Sequence, residues 1–183
     1  MAKTRPSKKE SKKKGKSMRH GNRLIREVKE DPMTLYEQAT ALLQTGQPDA
    51  ALELVERALK LSAEGSPNML IGLNLLAEVH VELGNIDTAR EYFSRTVQLD
   101  PEGTIPDEKG GGPEKFLWLA QLSEEGGKDS VAWFERGVGA LRRVIQSLEE
   151  GGAQKNAGAL EERKMQMAQA LCSVVEIYMT DLS

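Results

Sequence analysis

Apolar residues recur along this chain at intervals of three and four, the spacing that gathers them on one face of a helix. The clearest run extends from Leu73 to Pro101. It predicts two amphipathic helices joined at Gly84-Asn85 and closed by Leu99-Asp100-Pro101. Upstream, Leu24, Ile25 and Val28 mark a short amphipathic turn, and Asp31-Pro32 reads as a helix start. Leu35, Ala39, Leu42 and Leu43 then keep helical spacing. Gly46-Gln47-Pro48-Asp49 predicts a turn with Asp49 as N-cap, and Ala51, Leu52, Leu54, Val55, Ala58, Leu59 and Leu61 a second helix. Downstream, Thr104 to Pro113 is predicted to be a non-helical loop. Phe116, Leu119, Ala120 and Ser123, then Ser130, Phe134 and Gly137, predict a third pair around a turn at Glu125–Asp129. Its second helix runs on through Leu141, Val144, Ile145 and Leu148 to Gly151-Gly152. A last helix is expected from Leu160 to Leu182, with Leu171, Val174, Val175 and Tyr178 on one face.

The pattern resembles the tetratricopeptide repeat, W-x2-L-G-x2-Y…A-x3-F…P. Leu73 takes the Trp position, Leu76-Ala77 the Leu-Gly, His80 the Tyr, and Ala89, Phe93 and Pro101 the second-helix positions. Small residues are needed at Ala77 and Ala89 because the paired helices cross closely there. Aligning Gly46 with Gly84 brings Ala39 onto Ala77 and Ala51 onto Ala89 at an offset of 38 residues, longer than the usual period of about 34. Ser62 to Pro67 absorbs the excess. The expected architecture is all-α, a tetratricopeptide superhelix at 30–183 with repeats near 32–67, 70–103 and 114–150 and a partial fourth at 159–183. Met179 and Leu182 leave an apolar face with no helix after it. Stacked repeats need capped ends, so the end at Ser183 reads as a truncation or as a surface filled by something else, the first being preferred.

Charge divides the chain. Residues 1–29 carry twelve Lys/Arg and two acids, whereas 30–183 carry thirteen bases and 26 acids, so a net of −3 hides +10 beside −13. The first part is predicted to be a basic, largely disordered tail that cannot bury enough surface to fold alone. Within it Lys8, Lys9, Lys12, Lys13, Lys14 and Lys16 form a nuclear-import or nucleic-acid patch. One cysteine, Cys172, excludes an internal disulfide framework and reads as a small core residue. No apolar run approaches the roughly 18 residues of a membrane span, and no signal peptide opens the chain. A soluble protein of cytoplasm and nucleus is expected.

Catalytic chemistry has no residue set. His20 and His80 are far apart, His80 sits at a helix-pairing slot, and there is no P-loop, dinucleotide fingerprint or metal-spaced Cys/His cluster. The reading is a non-enzyme without cofactor, metal or small-molecule substrate.

Binding is expected on the concave face lined by first helices. Four positions per repeat face it, counted from the Trp position: Tyr36, Thr40, Leu43 and Gln44; Asn74, Glu78, Val81 and Glu82; Leu117, Gln121, Glu124 and Glu125. The last helix adds Cys172, Glu176, Met179 and Thr180. These positions are acid-rich and free of bases, which favours a Lys/Arg-rich protein ligand. Exposed pairs contribute only about 0.2–1 kcal/mol each, so apolar anchors such as Tyr36, Leu117 or Met179 are needed too. A carboxylate clamp for acidic peptides does not fit, because Tyr36, Thr40 and Glu78 stand where it needs Lys, Arg or Asn.

Three stretches together resemble a fungal family, the tetratricopeptide assembly chaperones dedicated to large-subunit ribosomal protein four. They are the Lys-rich start running into Gly21-Asn22-Arg23, the repeat ending Leu99-Asp100-Pro101, and the closing Ala170 to Leu182. The resemblance implies capture of the new ribosomal protein, shielding of its long basic internal loop, and escort into the nucleus; the Lys-rich patch read above is where an import receptor is expected. It also implies further repeats and an acidic tail beyond this chain. A scaffold adaptor of a multiprotein complex and an RNA-associated factor using the tail are the alternatives.

Overall fold

The structure, a computed structural model, describes residues 30–62, 66–152 and 155–181. The basic stretch 1–29 lies outside these, and so do its expected disorder, its import patch and the turn at Leu24–Val28. The described residues hold seven α-helices: α1 (Pro32–Gln44), α2 (Pro48–Leu61), α3 (Pro67–Glu82), α4 (Ile86–Leu99), α5 (Glu114–Gln121), α6 (Gly127–Glu150) and α7 (Ala157–Thr180). None of them is long and apolar enough to cross a membrane.

Local chemistry sets these boundaries. Pro32 and Pro48 occupy first-turn positions, where the missing N–H costs nothing and φ is already helical. That moves the start of α2 ahead of Asp49, so Gln47 is the N-cap and Asp49 lies inside the first turn, favourable to the helix dipole. The α1–α2 and α3–α4 turns are the same device. Gly46 (φ 72°) and Gly84 (φ 74°) take the left-handed conformation. The amides of Gln47 and Asn85 then reach back to Leu42 and His80 carbonyls at 2.9 and 2.8 Å. Connections this short turn each pair into an antiparallel hairpin.

Helices pack chiefly on their sequence neighbours. Ala39, Ala51, Ala58, Ala77 and Ala89 are fully buried at the crossings, where a larger side chain would separate the axes. The core is handed along in three clusters. Leu35, Tyr36, Val55, Leu76 and Val79 fill the first, Phe93, Val97, Phe116, Leu119 and Ala140 the second, and Ala120, Phe134, Val138 and Ala170 the third. Tyr36, expected on the concave face, is 2% exposed in the first cluster. Its ring passes over Gly72, where a Cβ would lie 2.4 Å from the Tyr36 oxygen, and the space exists only because Gly72 has no side chain. His80 is a packing group, stacked on Tyr92 at 5.6 Å. Burial pushes its pKa down, with Glu56 partly opposing.

The segment from Asp100 to Pro113 has an organisation that composition alone hides. It contains a 3₁₀ turn at Asp107–Lys109, so the loop is not wholly without helix. Its centre is a dry ion pair: Lys115 Nζ donates to Asp100 Oδ2 at 2.5 Å, with side-chain exposures of 0% and 2%. Asp100 Oδ1 accepts the Thr104 and Ile105 amides at 2.9 and 3.3 Å, while Lys115 also donates to the Gly112 carbonyl at 2.9 Å. Burial alone would raise the Asp100 pKa, but Lys115 and these amides outweigh it and hold the carboxyl low. The segment is thereby fixed against α3, where the Asn74 amide donates to the Gly110 carbonyl at 2.5 Å. It is tied to α7 by an Asp107–Arg163 ion pair.

Candidate functional site

A cleft of about 380 Å³ opens between α1, α3, α5, α6 and α7. The turn of α3 that ends at Glu82 carries Glu78 and Glu82 into it, one helical turn apart. The short helix α5 contributes Glu114, Leu117, Trp118 and Gln121, and α1 contributes Leu43 from its final turn. The far wall is α7, which presents Gln166, Gln169, Ala170 and Ser173, and Phe134 of α6 closes the floor. Among the described residues, no Lys or Arg lines the cleft. The surface therefore offers three carboxylates, three side-chain amides and an apolar strip.

Electrostatics here differ sharply from the Asp100–Lys115 pair. Among the described residues, no Lys or Arg meets Glu78, Glu82 or Glu114 at ion-pair distance. Glu114 instead accepts the Gln166 amide at 3.1 Å, and Arg163 donates to Gln166 from outside the cleft at 2.8 Å. Burial first, then the charge of Glu114, pushes the Glu78 carboxyl up to about 7. Near neutral pH Glu78 thus holds a proton part of the time, and a cation arriving beside it would release that proton.

Glu78, Glu82, Leu117, Gln121 and Leu43, all expected on the concave face, come together in this cleft. Others do not join them. Tyr36 is core, and Asn74 is turned into the Gly110 contact. Glu124 pairs with Arg90 at 2.5 Å on a different surface, where Glu125 also lies beside Asp129 and Trp133. They leave the cleft because α5 ends at Gln121, three residues before Glu124. Beyond it Ser123 accepts the Gly126 amide at 3.2 Å and donates to Asp129 at 2.6 Å, and α6 begins already at Gly127.

On α7 the register differs from expectation. Met167, Ala170, Val174 and Ile177 pack inward, which leaves Leu171, Val175, Tyr178 and Met179 exposed. Cys172, expected in the core, is exposed, and Glu176 is solvent-facing rather than in the cleft. Apolar residues occupy both faces of this helix, so spacing alone did not choose between them. Glu114 and the α7 glutamines were missed because they lie outside the four repeat positions. The signal available was Gln166 and Gln169, which fall on the same face as Ala170 and Ser173. Among the described residues no His, Cys, Asp or Glu group is arranged to hold a metal ion.

Comparison with known proteins places this geometry. Residues 36–104, which run from the second turn of α1 to just past α4, match the tetratricopeptide repeat family model. A solved structure titled Assembly Chaperone of RpL4 (Acl4) superposes with a TM-score of 0.78 at 47% identity, covering 84% of this chain and 56% of that one. The Probable assembly chaperone of rpl4 of Emericella nidulans is 56% identical over 149 residues, 80% of this chain and 39% of the relative. The protein of the same name from Schizosaccharomyces pombe is 34% identical over 108 residues, 59% of this chain and 28% of the relative. The chain thus spans about two-fifths or less of the curated relatives it matches. It is an all-helical tetratricopeptide structure that resembles, over most of its length, the fungal assembly chaperones of rpl4.

Proposed function

We propose that this chain is the client-holding part of a non-catalytic chaperone for a basic ribosomal protein, the large-subunit protein for which its relatives are named. One observation carries the reading. The cleft gathers Glu78, Glu82 and Glu114 beside the Leu117–Trp118 strip, and no cation among the described residues lines it. A ribosomal protein released from the translation machinery carries positive charge evolved for rRNA, and unshielded it binds polyanions without selection. In the cleft, Lys or Arg side chains meet the three carboxylates. Gln121, Gln166 and Gln169 offer donors and acceptors to an extended backbone, and the apolar strip anchors neighbouring residues. Release follows when rRNA presents a denser array of phosphates than three carboxylates. The escort runs from cytoplasm to nucleus, with the Lys8–Lys16 patch addressing an import receptor.

Binding of a Lys/Arg-rich ribosomal segment, measured by fluorescence anisotropy, tests this reading. Affinity is expected to fall steeply between low salt and about 0.5 M, because partly exposed charges are screened over roughly 4–10 Å in that range. The Glu78→Lys/Glu82→Lys/Glu114→Lys chain is expected to lose the salt-sensitive part. Binding that ignores both changes would remove the cleft from the mechanism.

A further inference from the structure

Positive charge for this cleft is available within the same polypeptide. Of the thirteen Lys and Arg residues in 30–183, seven already form ion pairs with carboxylates elsewhere: Arg57, Lys60, Arg90, Lys115, Arg143, Arg163 and Lys164. An eighth, Arg136, lies over the Phe116 and Trp133 rings at 4.8 and 4.7 Å. Residues 1–29 hold twelve more, with six lysines between Lys8 and Lys16. We infer that this Lys-rich segment is the cleft's resident competitor, folding back to occupy Glu78, Glu82 and Glu114 until a client displaces it; the inference rests on the cleft reading above.

Chain length permits the return. The tail enters α1 at Pro32, and Leu43 of the same helix lines the cleft. The intervening helix is about 20 Å long. The fifteen residues from Ser17 to Asp31 can span up to about 50 Å, so Lys8 to Lys16 reach the carboxylates with slack. Tethering supplies an effective concentration on the order of millimolar. Contacts too weak to hold a free peptide are then populated in the tethered one. The Lys8–Lys16 segment itself contains no apolar residue to fill the Leu117–Trp118 strip. It therefore matches a client's charge but not its anchors, which makes it a competitor that a true client removes and a merely basic peptide does not. Loading the cleft frees the lysines, so import-patch exposure would follow client capture.

The test compares the full chain with the full-length variant in which Lys8, Lys9, Lys12, Lys13, Lys14 and Lys16 are changed to Gln. The six substitutions touch no described helix. The probe is a fluorescent Lys/Arg-rich peptide with one Leu and one Phe. The variant is expected to bind it about three- to tenfold more tightly at low salt, with the difference gone at about 0.5 M. Zero-length carbodiimide crosslinking of the unliganded full chain is expected to join tail lysines to Glu78, Glu82 or Glu114 within one chain, and excess probe to abolish those links. Equal affinity in both chains, or weaker binding by the variant, overturns the competitor role while leaving the cleft as the binding site. Crosslinks scattered over other acids do the same. No binding by either chain overturns the cleft reading and the competitor with it.

Discussion

Two places in this molecule gather carboxylates, one dry and one largely open to solvent, and they are built on opposite terms. At the Asp100–Lys115 pair every charge has a partner within 2.5 Å, and backbone amides take up the remaining acceptor capacity. In the cleft, half-buried Glu78 shares one surface with exposed Glu82 and Glu114, no Lys or Arg among the described residues lines it, and burial pushes Glu78 toward neutrality. Matched charge fixes a loop in place, while the acids of the cleft meet no Lys or Arg at ion-pair distance among the described residues. The difference says which acids serve the fold and which are free to serve something else.

The comparison breaks most severely if Lys115→Met is tolerated. That variant leaves Asp100 buried without its cation, and is expected to cost about 3–5 kcal/mol in urea unfolding. An Asp100→Leu/Lys115→Met chain should recover much of the loss. Next is the pH dependence of Glu78. Its raised pKa means the folded chain keeps a proton that the unfolded chain has released. The stability it contributes is therefore complete below about pH 4.5 and is lost as pH rises to about 7. Glu78→Gln should flatten that decline and gain about 1–3 kcal/mol at pH 8. Removing an acid thus stabilises in the cleft, whereas Asp100→Asn is expected to destabilise at every pH above its low pKa.

Binding effects are smaller. Charge reversal at Glu78, Glu82 and Glu114 together should weaken a basic peptide about tenfold, some 1.4 kcal/mol, with urea stability unchanged or raised. Glu124→Gln sharpens the contrast at the bottom of the scale. Its carboxylate pairs with Arg90 on another surface, so it should move peptide affinity less than about twofold and stability by less than about 1 kcal/mol. An effect of Glu124 equal to that of Glu78 would mean that the ligand crosses a wider surface than the cleft.

Much of the helical scaffold was legible because local signals and periodicity agreed. Gly46 and Gly84 mark two turns of the same geometry, and the alanines at the crossings mark where helices meet. Starts and stops were legible only approximately, as Asp49 and Ser123 show, where a neighbouring proline or a loop hydrogen bond shifted the boundary. The Asp100–Lys115 pair was not legible, since fifteen residues and a glycine-rich stretch separate its members. For the cleft, Glu78, Glu82, Leu117 and Gln121 followed from repeat position, because α3 and α5 keep the spacing. Tyr36 did not, because Gly72 opens room for it inside. The α7 wall was misread because a helix apolar on two sides gives spacing no preference.

The core is relayed from one helix junction to the next, and none of its three clusters joins α1 to α7. Opening at one end need not propagate to the other. Four buried residues, Ala120, Phe134, Val138 and Ala170, anchor the α7 wall, against nine in the first cluster. Amide hydrogen exchange should therefore be fastest on α7 and slowest where α2 and α3 meet. In the proposed client cleft, the α3 wall draws on the larger buried cluster and the α7 wall on the smaller one, so adjustment to side chains of differing bulk is expected at α7.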